Sequence, residues 1–163
     1  MPDPSSIADV LKEKLGAESV LEFKAQRQRR AYVTVGPAFI KDAIRILMEA
    51  GFKHLSTITG LDTGSEIEVI YHLGDYSNVV SLRTKLQRDS PELPSCIDLL
   101  PGASLYEREV HDLLGVNFKG HPDLSPLVLP EGWPSGLYPL RKNHTIEDIT
   151  KRLDAPLNEG GQP

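Results

Sequence analysis

A change of pattern near Gly115 constrains this chain more than any other feature. Up to that point apolar residues recur at helix or strand spacing, in short segments punctuated by Gly and Pro. Beyond it the periodicity fades and prolines accumulate, at Pro122, Pro126, Pro130, Pro134, Pro139, Pro156 and Pro163. Such a sequence predicts one layered domain over residues 1–118 followed by an irregular, extended segment over 119–163. With 163 residues, 39% hydrophobic and 25% charged, the chain has the composition and length to bury a core without disulfide or metal staples.

The periodic part reads as alternating helices and strands. A first helix is expected from Ser5 or Ser6, with Ile7, Val10, Leu11 and Leu15 on one face and Gly16 as its stop. Val20–Ala25 and Ala31–Val35 read as strands joined across Gln26–Arg30 as a hairpin. Gly36-Pro37 opens a second helix whose stripe is Ile40, Ala43, Ile44, Leu47 and Met48, closed by Gly51. Phe52–Thr59, Glu66–Leu73 and Val79–Leu86 are three further strands. In the second of these Ile67, Val69, Tyr71 and Leu73 share a face, and in the third Val80, Leu82, Thr84 and Leu86 do. Short connections favour antiparallel neighbours. The fold class is therefore α/β (α+β): a mixed or antiparallel sheet with helices on one face, plus a long Pro-rich C-terminal extension. The last helix of the domain runs Leu105–Leu114. Ser104 and Glu107 have capping-box spacing, Tyr106, Val110, Leu113 and Leu114 form its apolar stripe, and Gly115 suits the left-handed residue after its last turn.

Several function classes find little in the sequence. A net charge of −5 disfavours general nucleic-acid binding. The basic hairpin Arg27, Arg29 and Arg30 lacks the aromatic platform of an RNA module. Cys96 is the single cysteine, which precludes an internal disulfide and any cysteine-held cluster or zinc from this chain alone. It reads as a small buried apolar residue, in keeping with a reducing compartment. No stretch reaches the roughly 18 apolar residues of a membrane span. Met1–Ser6 lacks the basic and apolar regions of a signal peptide. No nucleotide-binding glycine motif or His-Glu-x-x-His is present. His111, His121 and Asp112 could be assembled into a metal site, but histidines near a helix end are more often structural. Asp62-Thr-Gly64 matches the tripeptide of aspartic proteases, whose chemistry needs a second carboxylate, and a turn is the simpler reading.

Glu107-Arg108-Glu109 is a dense charge cluster, with Arg108 and Asp112 four residues apart. It reads as a general acid–base site, as a solvated face with i,i+4 pairs, or as a docking site. The extension carries Phe118, Leu124, Leu127, Val128, Leu129, Trp133, Leu137, Tyr138 and Leu140 outside any period. These residues need a surface, on their own domain or on a partner, and the prolines lower the entropy lost on docking. Asn158–Pro163 reads as a floppy end.

Tyr106-Glu-Arg-Glu-Val-His-Asp-Leu-Leu-Gly-Val-Asn-Phe-Lys-Gly-His-Pro-Asp-Leu124 resembles the signature of the 30-kDa subunit family of respiratory complex I, its C subunit. Tyr138-Pro-Leu-Arg-Lys142 is similar to the family's second block, and Glu68–Leu73 to its sheet strand. Leu129-Pro-Glu-Gly-Trp-Pro134 is similar to the homologous subunits of energy-converting, membrane-bound nickel–iron hydrogenases. The resemblance implies a non-catalytic scaffold in the peripheral arm of an ion-translocating oxidoreductase complex. The complex would be linked to NADH, ferredoxin or hydrogen and would lie at the cytoplasmic face of the membrane. It implies as partners a large catalytic subunit (the D subunit of complex I, or a hydrogenase large-subunit-like chain), a small iron–sulfur subunit and other arm subunits. It implies that this chain holds no cofactor, the iron–sulfur clusters and the flavin or nickel–iron site lying in partners. Glu107, Arg108, Glu109, Asp112, His121, Tyr138 and Arg141, with Trp133 of the extension, would be partner-interface or extension-anchoring residues. The alternative is a stand-alone acid–base enzyme using Glu107 to Asp112.

Overall fold

The alternating strands pair into one mixed sheet. The computed structural model describes residues 6–27 and 29–154. Its elements are α1 (Ile7–Leu15), β1 (Val20–Arg27), β2 (Arg30–Val35), α2 (Ile40–Glu49), β3 (His54–Asp62), β4 (Glu66–Gly74), β5 (Val79–Gln87), β6 (Glu92–Pro94), α3 (Ala103–Leu114), β7 (Asn117–Lys119) and α4 (Ile146–Asp154). The main sheet has the order β1-β2-β5-β4-β3. The hairpins β1–β2, β3–β4 and β4–β5 are antiparallel as short loops require. The connection through α2 carries the chain to the far edge, so β5 returns beside β2 in parallel. β6 and β7 form a separate parallel pair, Leu93 opposite Phe118.

The faces follow the predicted alternation. Ile67, Val69, Tyr71, Leu73, Val80, Leu82 and Thr84 are fully buried and Leu86 nearly so. They meet Ile7 and Leu11 of α1, the stripe of α2, and Val110 and Leu114 of α3 in one core, leaving helices on one face of the sheet. The other face is polar. There Arg83 donates to Thr34 Oγ1 (2.9 Å) and pairs with Glu22 and Glu68. Pro37 starts a single 3-10 turn, and the α-helix proper begins at Ile40. A start of α1 at Ser5 falls outside the described residues, as do residue 28 of the hairpin turn and Asn158–Pro163.

The expected capping box of α3 does not form. The helix starts earlier, behind Gly102, with no side-chain cap. Ser104 is inside its first turn, and Glu107 turns inward. The buried face is Ala103, Glu107, Val110 and Leu114, so a carboxylate occupies one position of an otherwise apolar stripe.

α3 approaches β3 most closely at Gly60, where a Cβ would lie 2.4 Å from Leu114 Cδ1 and 3.1 Å from Val110 Cγ1. Both neighbours are buried, so they have little room to move. Gly60→Ala is expected to destabilise the chain by about 1–3 kcal/mol, read as a lowered thermal unfolding midpoint. An unchanged midpoint would show that α3 is free to lift from β3.

Candidate functional site

The charge cluster of α3 is used by the chain itself. Glu107 is 0% exposed. Its carboxylate accepts from Ser95 Oγ at 2.6 Å and from the Cys96 amide at 2.8 Å, pinning the turn after β6 to the helix. Burial pushes its pKa up, and the two hydrogen bonds offset that only in part. Cys96 Sγ lies 3.8 Å from the Tyr71 hydroxyl in the same interior. Burial, with the Glu107 carboxylate adding to it, pushes the thiol up to about 12. It is an inert core residue, as read from the sequence. Glu107 is thus sealed inside its own domain, where it ties α3 to the turn after β6.

Arg108 and Asp112, one turn apart, bond the extension rather than each other. The Arg108 guanidinium donates to the Ser125 carbonyl (3.0 Å), Ser125 Oγ (3.0 Å) and the Pro126 carbonyl (2.9 Å). Asp112 Oδ2 accepts the amides of Leu127 (2.7 Å), Val128 (2.8 Å) and Leu129 (3.2 Å). The cation takes carbonyls and the anion takes amides, so five consecutive residues without regular structure have charged partners. Burial raises the Asp112 pKa, but the three amides outweigh it and the net direction is down.

Further along, the extension is fixed at the end of α3 and on the sheet. Gly115 has φ 72° and caps the helix through its amide to the His111 carbonyl at 2.8 Å. A Cβ there would fall 2.4 Å from the Tyr138 ring, so a side chain is excluded on two grounds. The Leu140 amide donates to the Leu113 carbonyl (3.1 Å), and Arg141 Nε to the Leu114 carbonyl (2.8 Å). The Arg141 guanidinium lies 4.7 Å over the Tyr138 ring. Trp133 is half-buried and donates its Nε1–H to the Leu137 carbonyl at 2.7 Å. Leu137 itself is buried.

Asp62 is the last anchor. It accepts from Arg88 Nη2 (2.9 Å), the Gly64 amide (2.7 Å) and the Lys142 amide (2.8 Å). Arg88, first among these, holds the carboxyl far below its ordinary range. Arg88 Nη2 also donates to Asn143 Oδ1 at 3.1 Å. The Asp-Thr-Gly tripeptide is therefore a turn whose acid ties the extension to the sheet, and among the described residues no second carboxylate joins its ion pair.

The histidines considered for a metal are separately engaged. His111 Nδ1 donates to the Val116 carbonyl at 2.8 Å. His121 Nε2 donates to the Ser104 carbonyl (3.1 Å), while its Nδ1 accepts the Asp123 amide (3.1 Å). Among the described residues no group of three or more His, Cys, Asp or Glu is placed to hold a metal. Of the eight residues singled out in the sequence, Glu109 alone is exposed, and among the described residues its side chain has no hydrogen bond or ion pair.

The sequence reading missed α4. Thr145 and Asp148 cap its start reciprocally, Thr145 Oγ1 donating to Asp148 Oδ2 (2.8 Å) and the Asp148 amide to Thr145 Oγ1 (3.2 Å). That Thr-x-x-Asp spacing was the available signal. Ile146, Ile149 and Leu153 form its apolar stripe, yet none of its residues is buried: Ile146 is 84% and Leu153 47% exposed.

Residues 33–150 match the family described as respiratory-chain NADH dehydrogenase, 30 Kd subunit, and the chain belongs to that family. It is 42% identical over 97 residues to the C subunit of F(420)H(2) dehydrogenase of Methanosarcina mazei, covering 57% of this chain and 61% of that protein. It is 38% identical over 119 residues to the C subunit of NADH-quinone oxidoreductase of Roseiflexus sp., covering 68% and 67%. A shorter match, 46% over 95 residues, is to the C/D subunit of NADH-quinone oxidoreductase of Phocaeicola vulgatus, covering 55% of this chain and 18% of that one. Among solved structures, a chain of the membrane-bound sulfane sulfur reductase, an archaeal respiratory membrane complex, superposes with TM-score 0.78 at 29% identity, covering 98% of this chain and 95% of that one. The trypsin-resistant fragment (1-134) of Nqo5 superposes with TM-score 0.61 at 26% identity, covering 72% and 99%. The relatives are thus subunits of multi-subunit oxidoreductases. Among the described residues no helix is long and apolar enough to cross a membrane.

Asp112→Asn, which loses the charge facing three amides, is expected to cost about 1.5–3 kcal/mol and to raise amide hydrogen exchange at Leu127–Leu129. Unchanged exchange there would show that the anchor is dispensable. The pH dependence separates the acids by sign. Asp62 and Asp112 have lowered folded pKa values, so their stabilisation is present above the unfolded value of 3.8 and lost as pH falls through the folded values. Glu107 is raised, so its relative stabilisation holds below its unfolded value of 4.5 and is lost as pH rises through the folded value. In acid titrations of unfolding free energy, Asp112→Asn flattens the fall below pH 3.8 and Glu107→Gln flattens the opposing rise on acidification from above pH 4.5.

Proposed function

We propose that this chain is a non-catalytic scaffold subunit in the peripheral arm of an ion-translocating, membrane-bound oxidoreductase of the complex I or energy-converting hydrogenase type. One observation carries the reading. Arg108 and Asp112 of the signature helix hold an extension, and that extension leads into an amphipathic helix with nothing buried. Glu107 and Asp112 are committed to structural hydrogen bonds within the chain, whereas an unburied apolar stripe calls for a second surface.

The partner is a large subunit, of the complex I D type or the hydrogenase large-subunit type, joined by a small iron–sulfur subunit and other arm subunits. The name of the Phocaeicola relative supports the pairing, because its C/D designation puts the two in one protein. The solved relatives support a partner-held extension. The chain from an assembled respiratory complex covers 98% of this chain and the trypsin-resistant fragment 72%, a difference comparable to the length of the extension. The redox groups reside in those partners: iron–sulfur clusters, with a flavin or a nickel–iron site. The electron donor (NADH, ferredoxin or hydrogen) is set there too. The subunit sits at the cytoplasmic face, on the membrane only through its partners. Its contribution to mechanism is positional, since electron transfer needs fixed spacing between centres. A stand-alone acid–base enzyme finds no support in the geometry: Glu107 is sealed in the core, and Asp112 Oδ2 already accepts three amides.

The test is to isolate the chain from its own membranes and identify its companions by mass spectrometry and metal analysis. A chain that emerges alone and metal-free would overturn the scaffold role. Ending the chain at Asn143 removes α4 while keeping Arg141, Lys142 and the Arg88–Asn143 bond. The shortened chain is expected to melt as the full chain does, and to recover much less of the large subunit. Full recovery would remove α4 from the interface.

A further inference from the structure

Beside α3 lies a groove that the extension does not fill. Thr57, Thr59 and Gly60 of β3 form one wall, Glu109 and Leu113 of α3 the other, and Leu140 of the extension closes one end, around about 190 Å³. Three features make it unlike the saturated contacts around it. Among the described residues Glu109 is the only charged residue of its lining, and its exposed side chain has no partner there. Leu140 is 56% exposed and Leu105, one turn before Glu109, 58%. β3 is an edge strand nine residues long, paired only with β4. Along its outer side the one bond seen among the described residues is from the Tyr106 hydroxyl to the Ser56 carbonyl, at 3.1 Å.

A long edge strand left open is a template for pairing with another chain, and proteins that do not use such an edge block it with charge, proline or a cover. Here Asp62 ends the strand and is turned into the Arg88 contact, and the stretch Thr57–Leu61 carries no charge or proline. The neighbouring carboxylate is on α3, displaced to the groove wall. We infer that this groove receives an extended segment of the large subunit, laid along β3, which sets an apolar side chain against Leu113 and Leu140 and a Lys or Arg against Glu109. Backbone pairing supplies the affinity of such an added strand, and the flanking pocket and charge fix its register. The inference rests on the scaffold reading and assigns it a surface separate from α4.

The test uses the full chain, replaced in its own membranes. Glu109→Lys and Leu140→Asp alter exposed side chains, so the melting of each purified chain should match the parent. Recovery of the large subunit with Glu109→Lys should fall about tenfold or more, because a like charge then faces the partner's cation. A photo-cross-linking residue at position 57 should join a large-subunit peptide that carries Lys or Arg beside an apolar residue. Parental recovery with both variants overturns the groove, as does a position-57 cross-link to a second copy of this chain or to no protein. In either case a cross-link from position 146 to the large subunit would leave the scaffold reading standing. If Glu109→Lys fails to fold, Leu140→Asp and the cross-link decide. Isolation of the parent chain without any partner would sink both readings together.

Discussion

An irregular segment lying against a folded domain must place its amides and carbonyls somewhere, and the rest of this structure depends on how that is done. From Ser125 to Leu129 the extension has no strand or helix to pair with. Its carbonyls go to Arg108 and its amides to Asp112, one helical turn apart. Charged side chains on a rigid helix thus replace a missing strand. Lys142 repeats the device on the sheet, where its amide reaches Asp62. Gly115 makes the two parts meet, since only a residue without a side chain leaves room for Tyr138 at the turn between helix and extension.

The acids of this region show how one residue type serves opposite ends. Glu107 and Asp112 lie on the same helix and both are buried, yet their pKa values move in opposite directions. For Glu107 the loss of water dominates two donors, and for Asp112 three aligned amides dominate the loss of water. Asp62 adds an arginine to its amides, and that arginine leads in holding its carboxyl well below the usual range. All three use their acceptor capacity to hold the chain in shape. That use fits a chain whose relatives are subunits of multi-subunit oxidoreductases.

Among the described residues the anchoring bonds reach as far as Asn143. Between Phe118 and Asn143 the chain is bonded to its own domain repeatedly, and beyond that α4 buries none of its residues. A helix of nine residues is marginal in water by itself. Its reciprocal Thr145–Asp148 cap supports it locally, while its apolar stripe stays without a packing surface among the described residues.

The local part of this organisation was legible in the sequence. The alternation of β4 and β5, the stripe of α2 and the stop at Gly115 are properties of neighbouring residues, and each stands where its period placed it. The extension was visible as a loss of period, and the family as the residues around Glu107-Arg108-Glu109. What the sequence could not fix is which distant groups satisfy which. Ser104 and Glu107 have the spacing of a cap, but Ser95 and Cys96 outcompete the helix end for the carboxylate. Arg108 and Asp112 have the spacing of an ion pair, but the extension's backbone takes both. Asp62 meets an amide 80 residues away, and β2 finds β5 across the chain. Periodicity is set within a few residues and can be read there. The partner of a buried charge is set by what the completed fold brings beside it, so only the tertiary structure decided that this helix is an anchor.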